Sequence, residues 1–586
     1  MALFTPSESP AVVVKEIDLT GGVPNVQSTT GAIVGNFRWG QVEERVIVDN
    51  EATLVDTFAT PDSANTIDFH SAQYFLRYSS SLQVVREVTS TAFNSRSTVG
   101  QKAADSDATL NAELVKNLPD FEAQQFALDS DSHTFIGKYP GSLGNSLQVQ
   151  ICPSDSAGTL FSTWAYTNNF DKAPSSSTFA SNNGARGDEV HIVVIDKDGK
   201  FTGTRGEMLE AFPFLSVGRN AKNPDGTNNY AVDVVNERSR FVWMVEFDSD
   251  HLLAGASTDI DNGDDFTMTN RAIKTFNFNG GANSGPLGTA EFLTGFDLFE
   301  DKDQVEVDFL IAPGMTSTID QTTIVNDLVA TAQQTRKDCV VVTSPARDDI
   351  VNLTSAATIN TNVIATANTF TNSSYLIMDG NYLKTYDKYN DQFITIPAAS
   401  STAGICAATD LNRAAWFSPA GQRRGQYLGI TALAYSPNKS QRDALYRNDV
   451  NPIANIPGQG TILFGDKTML GRPSAFDRIN VRRLFLILER AIGRAAQQVM
   501  FEFNDEFTRA EFVNIIEPVL REVKGRRGIT DFRVVCDETN NTPAIVDRNE
   551  FIANIFIKPA RSINYVTLNF VAVRTGVDFE EVVGTV

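Results

Sequence analysis

The spacing of apolar positions changes along the chain, and each change predicts a different kind of element. Near the N-terminus, AVVVKEIDL (11–19) has the β-branched content of a single strand, and GAIVGNFRWG (31–40) begins another. Apolar residues at helical spacing predict helices over 51–58 and 67–77, and LQVVREV (82–88) predicts a strand. This part of the chain therefore has the alternating order of an α/β domain.

The pattern changes between residues 89 and 279, where short strands such as LQVQI (147–151) and EVHIVVI (189–195) are separated by polar loops. These segments predict β-rich insertions that face solvent. The region ends in the Asn- and Gly-rich FNFNGGANSGPLG (276–288), which lacks the GK[ST] ending of a phosphate loop and the GxGxxG spacing of a dinucleotide site. We therefore predict a flexible loop there.

A strand, a helix and a second strand follow residue 304. VEVDFLIAPG (305–314) precedes a helical stretch over 322–338 and the apolar strand CVVVTSP (339–345), which predicts a parallel sheet covered on both faces. The loop after the first strand has no dinucleotide fingerprint. The pattern therefore predicts an α/β domain without a cofactor.

Two amphipathic helices are predicted in the last quarter. The apolar stripe of the first is formed by Leu484, Leu488, Ile492, Ala495 and Val499. The second begins near 504–508, and its apolar side is formed by Phe512, Ile515, Ile516, Val519 and Leu520. Its polar side is formed by Arg509, Glu517, Arg521 and Lys524.

Glycines and a proline set the limits of the second helix. Gly525 and Gly528 mark its end, and Pro518 is expected either to kink it or to be absorbed locally. The strands predicted after it are DFRVVCDE (531–538), FIANIFIKP (551–559) and INYVTLNFVAV (563–573).

Length and composition limit the possible classes of protein. A chain of 586 residues exceeds the size at which a single core stops growing, about 250–300 residues, so several domains are expected. The net charge of −22 argues against nucleic acid or an anionic membrane as a partner, because both require a basic face. No stretch approaches the roughly 18 apolar residues of a membrane span, so we expect no direct membrane insertion.

Cysteines, histidines and carboxylates predict no metal site and no catalytic centre. The four cysteines have no CxxC spacing and are interpreted as reduced core thiols, namely Cys152, Cys339, Cys406 and Cys536. The four histidines are scattered, without partners at i+3 or i+4. Asp537, Asp547 and Glu550 lie among Asn, Thr and Pro, which indicates turn chemistry. We expect no metal, no cofactor and no enzymatic activity.

Several long runs of specific residues carry a family resemblance. They are VCDETNNTP (535–543), VDRNE (546–550), IKPARSINY (557–565), FGDKTML (464–470), GNFRWG (35–40), YPGSLGNSLQV (139–149) and GICAATDLNRAAWFSPAG (404–421). On these residues the chain resembles contractile phage tail sheath proteins, and most closely those of T4-like myoviruses.

The resemblance implies a multidomain α+β and α/β fold. Its expected parts are an N-terminal arm and linker (1–22), the first part of a middle α/β domain (23–90), β-rich variable outer insertions (91–280), the remainder of the middle domain (281–450), an inner α+β sheath domain (451–573) and a C-terminal arm (574–586).

The resemblance also implies a function. The chain is expected to be a structural subunit of the contractile sheath that surrounds the tail tube and shortens to drive the tube through the host envelope during genome ejection. Expected partners are further copies of the chain, in hexameric rings stacked into a helical tube, the tail tube protein, and the baseplate and tail terminator proteins. The expected location is the tail of the virion, after assembly in the host cytoplasm.

A local excess of positive charge provides candidates for tube contact. Residues 460–530 contain twelve basic and nine acidic residues, a net charge of +3 within a chain of −22. The excess suggests a cationic face for an acidic partner, and the resemblance implies that this partner is the outer wall of the tube. The tube-contact candidates are Arg521, Lys524, Arg526 and Arg527. Alternatively, each cation only complements the C-terminus of its helix.

The two chain ends provide a second set of candidates, because the resemblance implies that neighbouring subunits exchange terminal strands. The intersubunit candidates are Val12, Val13, Val14, Lys15, Glu16, Ile17, Val577, Asp578, Phe579, Glu580, Glu581 and Val582. Alternatively, both strands pair within their own subunit.

Three other functions remain open from the sequence. A sheath of a bacteriocin or another contractile injection system belongs to the same class. The strand and helix pattern with its Gly-rich loop also fits an α/β enzyme with a β-rich appendage, and the polar outer loops fit a host-binding tail protein.

Overall fold

The computed structural model describes residues 29–97, 114–130, 134–155, 159–245, 259–266 and 272–564. Two compact units are present, and each is described by itself. The main unit comprises the described residues of 26–415 and 419–490. The C-terminal unit comprises 416–418 and the described residues from 491 onward.

Twenty strands are found among the described residues. They are β1 (Gly31–Gly35), β2 (Arg45–Val48), β3 (Leu82–Arg86), β4 (Asn94–Ser97), β5 (Phe135–Pro140), β6 (Leu147–Pro153), β7 (Glu189–Asp196), β8 (Glu207–Ser216), β9 (Val242–Met244), β10 (Lys274–Asn279), β11 (Phe309–Ile311), β12 (Val340–Thr343), β13 (Leu376–Met378), β14 (Tyr382–Asp387), β15 (Gln392–Pro397), β16 (Ala432–Leu433), β17 (Ile453–Ile456), β18 (Gly460–Leu463), β19 (Ile529–Val535) and β20 (Asn554–Pro559).

Fourteen α-helices are found in the same part of the chain. They are α1 (Glu51–Phe58), α2 (Thr66–Leu76), α3 (Leu118–Ser130), α4 (Thr159–Thr163), α5 (Thr178–Asn182), α6 (Ala231–Arg238), α7 (Thr289–Asp297), α8 (Thr318–Ala330), α9 (Ala356–Ala367), α10 (Ala399–Asn412), α11 (Lys439–Arg447), α12 (Ile479–Gln498), α13 (Glu506–Gly525) and α14 (Pro543–Val546).

A six-stranded sheet forms the centre of the main unit, in the order β13-β12-β11-β1-β3-β2. Five of its strands are parallel, and β2 pairs antiparallel to β3 at one edge. Val341 faces a core formed with α7, α8 and α9, whereas Val340 and Val342 face a second core formed with α1, α2 and α10. The predicted parallel sheet with two covered faces is confirmed.

Capping side chains mark where the helices that cover this sheet begin. The helices predicted over 51–58 and 67–77 are confirmed as α1 and α2, and the Asn50 side chain caps α1 by accepting from the Thr53 amide at 2.9 Å. The helix predicted from residue 322 begins earlier, at Thr318, because the Ser317 side chain caps it. It continues after Ala330 as a π-helical segment, Thr331–Arg336.

A seven-stranded antiparallel sheet holds the β-rich residues, in the order β8-β7-β6-β10-β4-β5-β9. The predicted strands at 147–151 and 189–195 are confirmed as parts of β6 and β7. The predicted loop at 276–288 was wrong in its first four residues, which belong to β10. Phe276 and Phe278 alternate into the core, and this alternation overrides the Asn- and Gly-rich composition.

Arg86 connects the six-stranded sheet to the seven-stranded sheet. Its buried guanidinium donates to the carbonyls of Phe37 and Gly40 at 2.7 Å each and to that of Pro140, at the end of β5, at 2.6 Å. Burial lowers the pKa of Arg86 to about 9. At Gly40 the backbone φ of +103° favours glycine, and a Cβ would lie 2.7 Å from the Phe58 ring.

Both predicted amphipathic helices are confirmed, as α12 and α13. Leu484, Leu488 and Ala495 are buried along α12, and Phe512, Ile516 and Leu520 are buried along α13. Pro518 lies inside α13, which continues on both sides of it. Arg509, predicted for the polar side of the helix, is buried at 8% exposure and donates to the Asn504 side chain at 3.0 Å.

Three of the four cysteines fit the predicted core environment. Cys152, Cys339 and Cys406 are free and buried, whereas Cys536 is free but only half-buried, because it directly follows β19, whose side chains are largely exposed. His70 and His191 are both buried, and His191 stacks on Phe170 at 4.3 Å between ring centroids. No helix in the described residues has the length and apolar character needed to cross a membrane.

Candidate functional site

The four tube-contact candidates lie together at the C-terminal end of α13. The Arg527 amide donates to the Lys524 carbonyl at 3.0 Å, and the Gly528 amide donates to the Val523 carbonyl at 2.9 Å. These two bonds close the helix in the manner of a Schellman motif. The left-handed position is occupied by Arg527, at φ +68°, and not by either glycine predicted to end the helix. An arginine there is strained relative to glycine.

Three of the four cations have acidic neighbours. Arg521 pairs with Glu517 at 2.6 Å, Lys524 pairs with Asp531 at 3.1 Å, and Arg526 pairs with Glu522 at 3.4 Å. The hydrogen bond from Lys524 lowers the pKa of Asp531. Because these pairs are exposed, they add little to stability and can be exchanged for other partners.

Arg527 differs from the other three candidates. Its side chain is exposed, and no carboxylate among the described residues lies within ion-pair distance of it. The strained backbone therefore places an uncompensated positive charge at the tip of α13, where a partner can reach it.

Trp416 supports this helix end and was missed by the sequence reasoning about site residues. Its indole Nε1 donates to the Arg526 carbonyl at 3.2 Å, and the Arg526 guanidinium lies 5.0 Å from the centroid of the Trp416 ring. A Cβ at Gly528 would lie 3.0 Å from the same ring. The run GICAATDLNRAAWFSPAG, which carries part of the family resemblance, contains this tryptophan and was the available signal.

The twelve basic residues of 460–530 do not form one exposed face. Six belong to the main unit, namely Lys467, Arg472, Arg478, Arg482, Arg483 and Arg490. All of these except Arg472 pair with carboxylates of that unit at 2.7–3.3 Å. Many of the basic residues counted in this stretch are therefore paired inside the main unit and do not contribute to an exposed cationic face.

Helix α12 contributes the most buried of these internal pairs. Arg483, at 3% side-chain exposure, pairs with Asp410 at 3.0 Å and donates to the Cys406 carbonyl at 2.9 Å. Arg490 pairs with Asp308 at 2.7 Å and donates to the Asp338 carbonyl at 3.0 Å. Burial raises the pKa of Asp410 to about 6 despite Arg483. These charges hold the helix against the central sheet.

The strands β19 and β20 form an antiparallel pair in the C-terminal unit. Within the described residues no third strand pairs with either of them, so each presents one outer edge. The twelve strand-exchange candidates, Val12, Val13, Val14, Lys15, Glu16, Ile17, Val577, Asp578, Phe579, Glu580, Glu581 and Val582, lie outside the described residues.

The carboxylates near the C-terminus form turns. Asp537 accepts from the Thr539 amide at 2.9 Å, and the hydrogen bonds from Thr539 lower the pKa of its carboxyl. Glu550 pairs with Arg548 at 2.9 Å, and this pairing lowers its pKa. Both carboxylates are therefore held in the charged form, which fits the predicted turn chemistry.

Another carboxyl, Asp379, is fully buried. It accepts from the Ser344 hydroxyl at 2.8 Å and from the Thr402 hydroxyl at 3.0 Å. Burial raises the pKa of Asp379 to about 7. The hydroxyls join the ends of β12 and β13 to the start of α10, so the group has a structural role. Among the described residues no cluster of three or more His, Cys, Asp or Glu is arranged to hold a metal ion.

Comparison with known proteins gives two family matches and close full-length relatives. Residues 286–469 match the phage tail sheath protein central domain, and residues 472–572 match the phage tail sheath C-terminal domain. The tail sheath protein of Enterobacteria phage T4 is 32% identical, across 98% of this chain and 99% of its own length. The tail sheath protein of Vibrio phage KVP40 is also 32% identical, with the same coverage of both chains.

A solved structure supports the fold. The crystal structure of a sheath tail protein from Listeria innocua has a TM-score of 0.54 to this chain at 11% identity, and the match covers 92% of this chain and 93% of the other. At that identity the likeness concerns the fold alone.

Proposed function

The chain belongs to the phage tail sheath protein family, and from this membership we propose that it forms the contractile sheath that surrounds a tail tube. Shortening of this sheath drives the tube through the host envelope during genome ejection. The observation that carries the proposal is the full-length likeness to phage tail sheath proteins. The role is structural and involves no catalysis.

Exchange of terminal strands links the subunits in this proposal. Arms from residues 1–22 and 574–586 of neighbouring copies add to the outer edges of β19 and β20. The open edges in the described residues support this arrangement, because backbone amides and carbonyls at a sheet edge are ready to pair with another strand. A head-to-tail contact of this kind does not close on itself along the axis, and it builds an open helical tube of stacked hexameric rings.

The end of α13 grips the tail tube in the proposed sheath. Arg521, Lys524, Arg526 and Arg527 are exposed, and three of them have exposed acidic neighbours that exchange readily for acidic groups of the tube. Each contact is weak, but every subunit repeats it. This suits a sheath that must release the tube when it shortens.

Each domain has its own position in the proposed sheath. Residues 451–573 form the inner domain near the tube, residues 23–90 and 281–450 form the middle α/β domain, and residues 91–280 form the outer insertions. The proposed partners beyond the tube are the baseplate and tail terminator proteins, with assembly in the host cytoplasm.

Contraction requires no nucleotide in this mechanism. The extended lattice is a higher-energy arrangement, and a signal from the baseplate releases it. Each subunit then moves largely as a rigid body while the arms remain paired, and the difference in intersubunit contacts between the two lattices supplies the work.

Negative-stain electron microscopy of the full chain, beside a version that lacks residues 1–20, tests the proposal. Tubes or rings from the full chain and their loss in the truncated version support arm exchange. Monomers from both versions, also in the presence of the tail tube and baseplate proteins, contradict the sheath assignment.

Tube contact has its own test. Full-length chain in which Arg521, Lys524, Arg526 and Arg527 are all changed to Ala is mixed with preformed tail tubes and sedimented. We expect the variant to remain in the supernatant while the wild-type chain sediments with the tubes. Equal sedimentation of both contradicts the assignment of these four residues to tube contact.

A further inference from the structure

Two buried histidines of the main unit differ in the groups that face their rings. In His191, Nε2 lies 2.9 Å from the Lys172 carbonyl oxygen, which can only accept, and Nδ1 accepts from the Phe214 amide at 3.0 Å. The ring therefore donates at one nitrogen and accepts at the other, as a neutral imidazole does. Burial lowers the pKa of His191, which agrees with this neutral form.

The other buried histidine, His70 on α2, faces an oxygen at each ring nitrogen. Nδ1 lies 2.6 Å from Oε1 of Gln73, and Nε2 lies 3.1 Å from Oδ1 of Asp387 at the end of β14. His70 is 1% exposed and Asp387 is fully buried, so solvent does not substitute for either contact. No other group among the described residues forms a hydrogen bond with Nε2.

The orientation of the Gln73 amide decides the role of Nδ1, because an amide can present either its oxygen or its nitrogen to the ring. Although burial raises it, the pKa of Glu51 on α1 is lowered overall by hydrogen bonds from Lys388 and Tyr389, and one from Gln73 contributes as well. A carboxylate only accepts, so the amide nitrogen of Gln73 faces Glu51 and the amide oxygen faces His70. Nδ1 must then carry a hydrogen.

Asp387 imposes the same requirement on Nε2. Burial raises the pKa of Asp387, but hydrogen bonds from the Asn390 side chain and the Tyr389 amide, together with the contact of His70, lower it overall. The carboxyl is therefore ionised and has no hydrogen to give. Nε2 must carry a hydrogen too, since a neutral His70 would place a lone pair against an acceptor at one of its two nitrogens.

The charged groups around His70 belong to three segments. Asp387 is the only carboxylate among the described residues within ion-pair distance of the ring. In the turn after it, the Lys388 ammonium and the Tyr389 hydroxyl each lie 2.7 Å from the Glu51 carboxylate. The other charged residues of the elements that pack on α2 have different partners or face solvent, namely Asp56, Asp68, Arg86 and Asp410.

We propose that His70 is a proton-controlled latch that fastens the turn between β14 and β15 (388–391) to α1 and α2. With a hydrogen on both nitrogens, the ring joins Asp387 to Gln73 and, through Gln73, to Glu51. When the pH rises and the ring loses one proton, one of these contacts becomes repulsive and the turn loosens. The latch is therefore closed at acidic pH and opens as the pH rises.

The turn lies beside an exposed aromatic pair. Tyr386 and Phe393 are opposite each other on β14 and β15, with ring centroids 5.5 Å apart, and they are 47% and 70% exposed. The latch thus sets how rigidly this pair is presented to solvent. The inference concerns a single chain and does not rest on the proposed sheath function.

Amide hydrogen exchange read by mass spectrometry tests the latch. Peptides that span 386–393 contain the Tyr389 and Asn390 amides, which donate to the same Asp387 oxygen that faces His70. Protection is measured at pH 5.5 and pH 8.5, on either side of the ordinary histidine value of about 6.5, and corrected for the intrinsic exchange rate at each pH. We expect protection in the wild-type chain to fall about tenfold at the higher pH.

Three variants assign the cause. His70→Gln supplies a donor to Asp387 that does not titrate, so protection of the turn should be equal at the two pH values. Asp387→Asn should also remove the pH dependence, and it serves if His70→Gln does not fold. Asp379→Asn removes another buried group that titrates between these pH values, and the pH dependence of the turn should remain.

The protonation of each ring can be observed directly. In the unassembled chain labelled with ¹⁵N at histidine, we expect two protonated ring nitrogens for His70 at pH 5.5 and one for His191. The signals are assigned by their loss in His70→Gln and His191→Gln. An unprotonated ring nitrogen in His70 at this pH overturns the proposal, as does protection of the turn that is independent of pH in the wild-type chain or still depends on pH in His70→Gln.

Discussion

Helices α12 and α13 are both twenty residues long and rich in cations, yet their charges have different surroundings. In α12, Arg483 and Arg490 are 3% and 11% exposed and pair with carboxylates of the main unit. In α13, Arg521 is 69% exposed and pairs with Glu517 on its own helix. Burial makes the first set structural, because a charge removed from water must be paired, whereas the second set remains available to partners.

The largest expected effect comes from removing a buried partner. Arg483→Met leaves Asp410 without its cation in the core, and we expect the free energy of unfolding to fall by about 3–5 kcal/mol. Urea unfolding followed by circular dichroism measures the change. Adding Asp410→Leu should restore most of the loss, since no unpaired charge then remains. A double variant as unstable as the single one would contradict this account.

The next effect is a pH dependence caused by burial alone. The pKa of Asp379 is about 7 in the folded protein, above its ordinary value of 3.8, because the carboxyl is buried without a cation. The folded state therefore binds this proton more tightly than the unfolded state. The stability it contributes is complete below the ordinary pKa and is lost as the pH rises through about 7.

Asp379→Asn tests this sign, because the amide resembles the protonated carboxyl. Between pH 5 and pH 8 we expect the wild-type chain to lose about 1–3 kcal/mol of unfolding free energy that the variant retains. Urea unfolding at several pH values checks the difference. If the unfolding free energy of both chains depends on pH in the same way, burial of Asp379 is not the cause of that dependence.

A smaller effect is expected at the end of α13. Glycine at position 527 adopts the left-handed conformation without strain, so Arg527→Gly should raise the unfolding free energy by about 0.5–1 kcal/mol. The same change should weaken sedimentation with tail tubes. Arg526→Gly, at a position with negative φ, serves as the control and should not stabilise the protein. Lower stability of Arg527→Gly would show that the arginine side chain holds the turn.

The smallest effect is expected for an exposed cation. Arg521→Met removes a surface pair with Glu517, and the unfolding free energy should change by less than about 0.5 kcal/mol. The same substitution at Arg483 is its matched comparison in α12. A loss of several kcal/mol at Arg521 would erase the distinction between the two helices.

Much of the fold could be predicted from the sequence, because periodicity reports which face of an element is buried. The apolar run 339–345 predicted a covered strand, and 51–58 predicted a helix whose observed bounds agree. The strand at Phe276 and Phe278 was missed, because the Asn and Gly residues around them resemble a loop. Local composition and tertiary burial conflicted there, and burial decided the structure.

The candidate site was predicted less completely. The position of Arg521, Lys524, Arg526 and Arg527 at the end of a helix followed from the sequence. The partners of these cations did not, since Asp531 and Trp416 reach the helix end from other segments. The exposure of Phe501, Phe503 and Phe507 was also missed, because an apolar residue in a sequence does not reveal whether its side chain is covered.

The sequence by itself determined the family, the elements with clear periodicity and the overall acidity, because specific runs of residues and repeating burial patterns are properties of the chain alone. The tertiary structure decided which charges are internal and which are exposed. Arg490 and Arg527 are the same residue type in the same quarter of the chain, but Arg490 faces a buried Asp308 and Arg527 faces solvent. Solvation sets the role of each charge, and solvation depends on which distant segments fold against it.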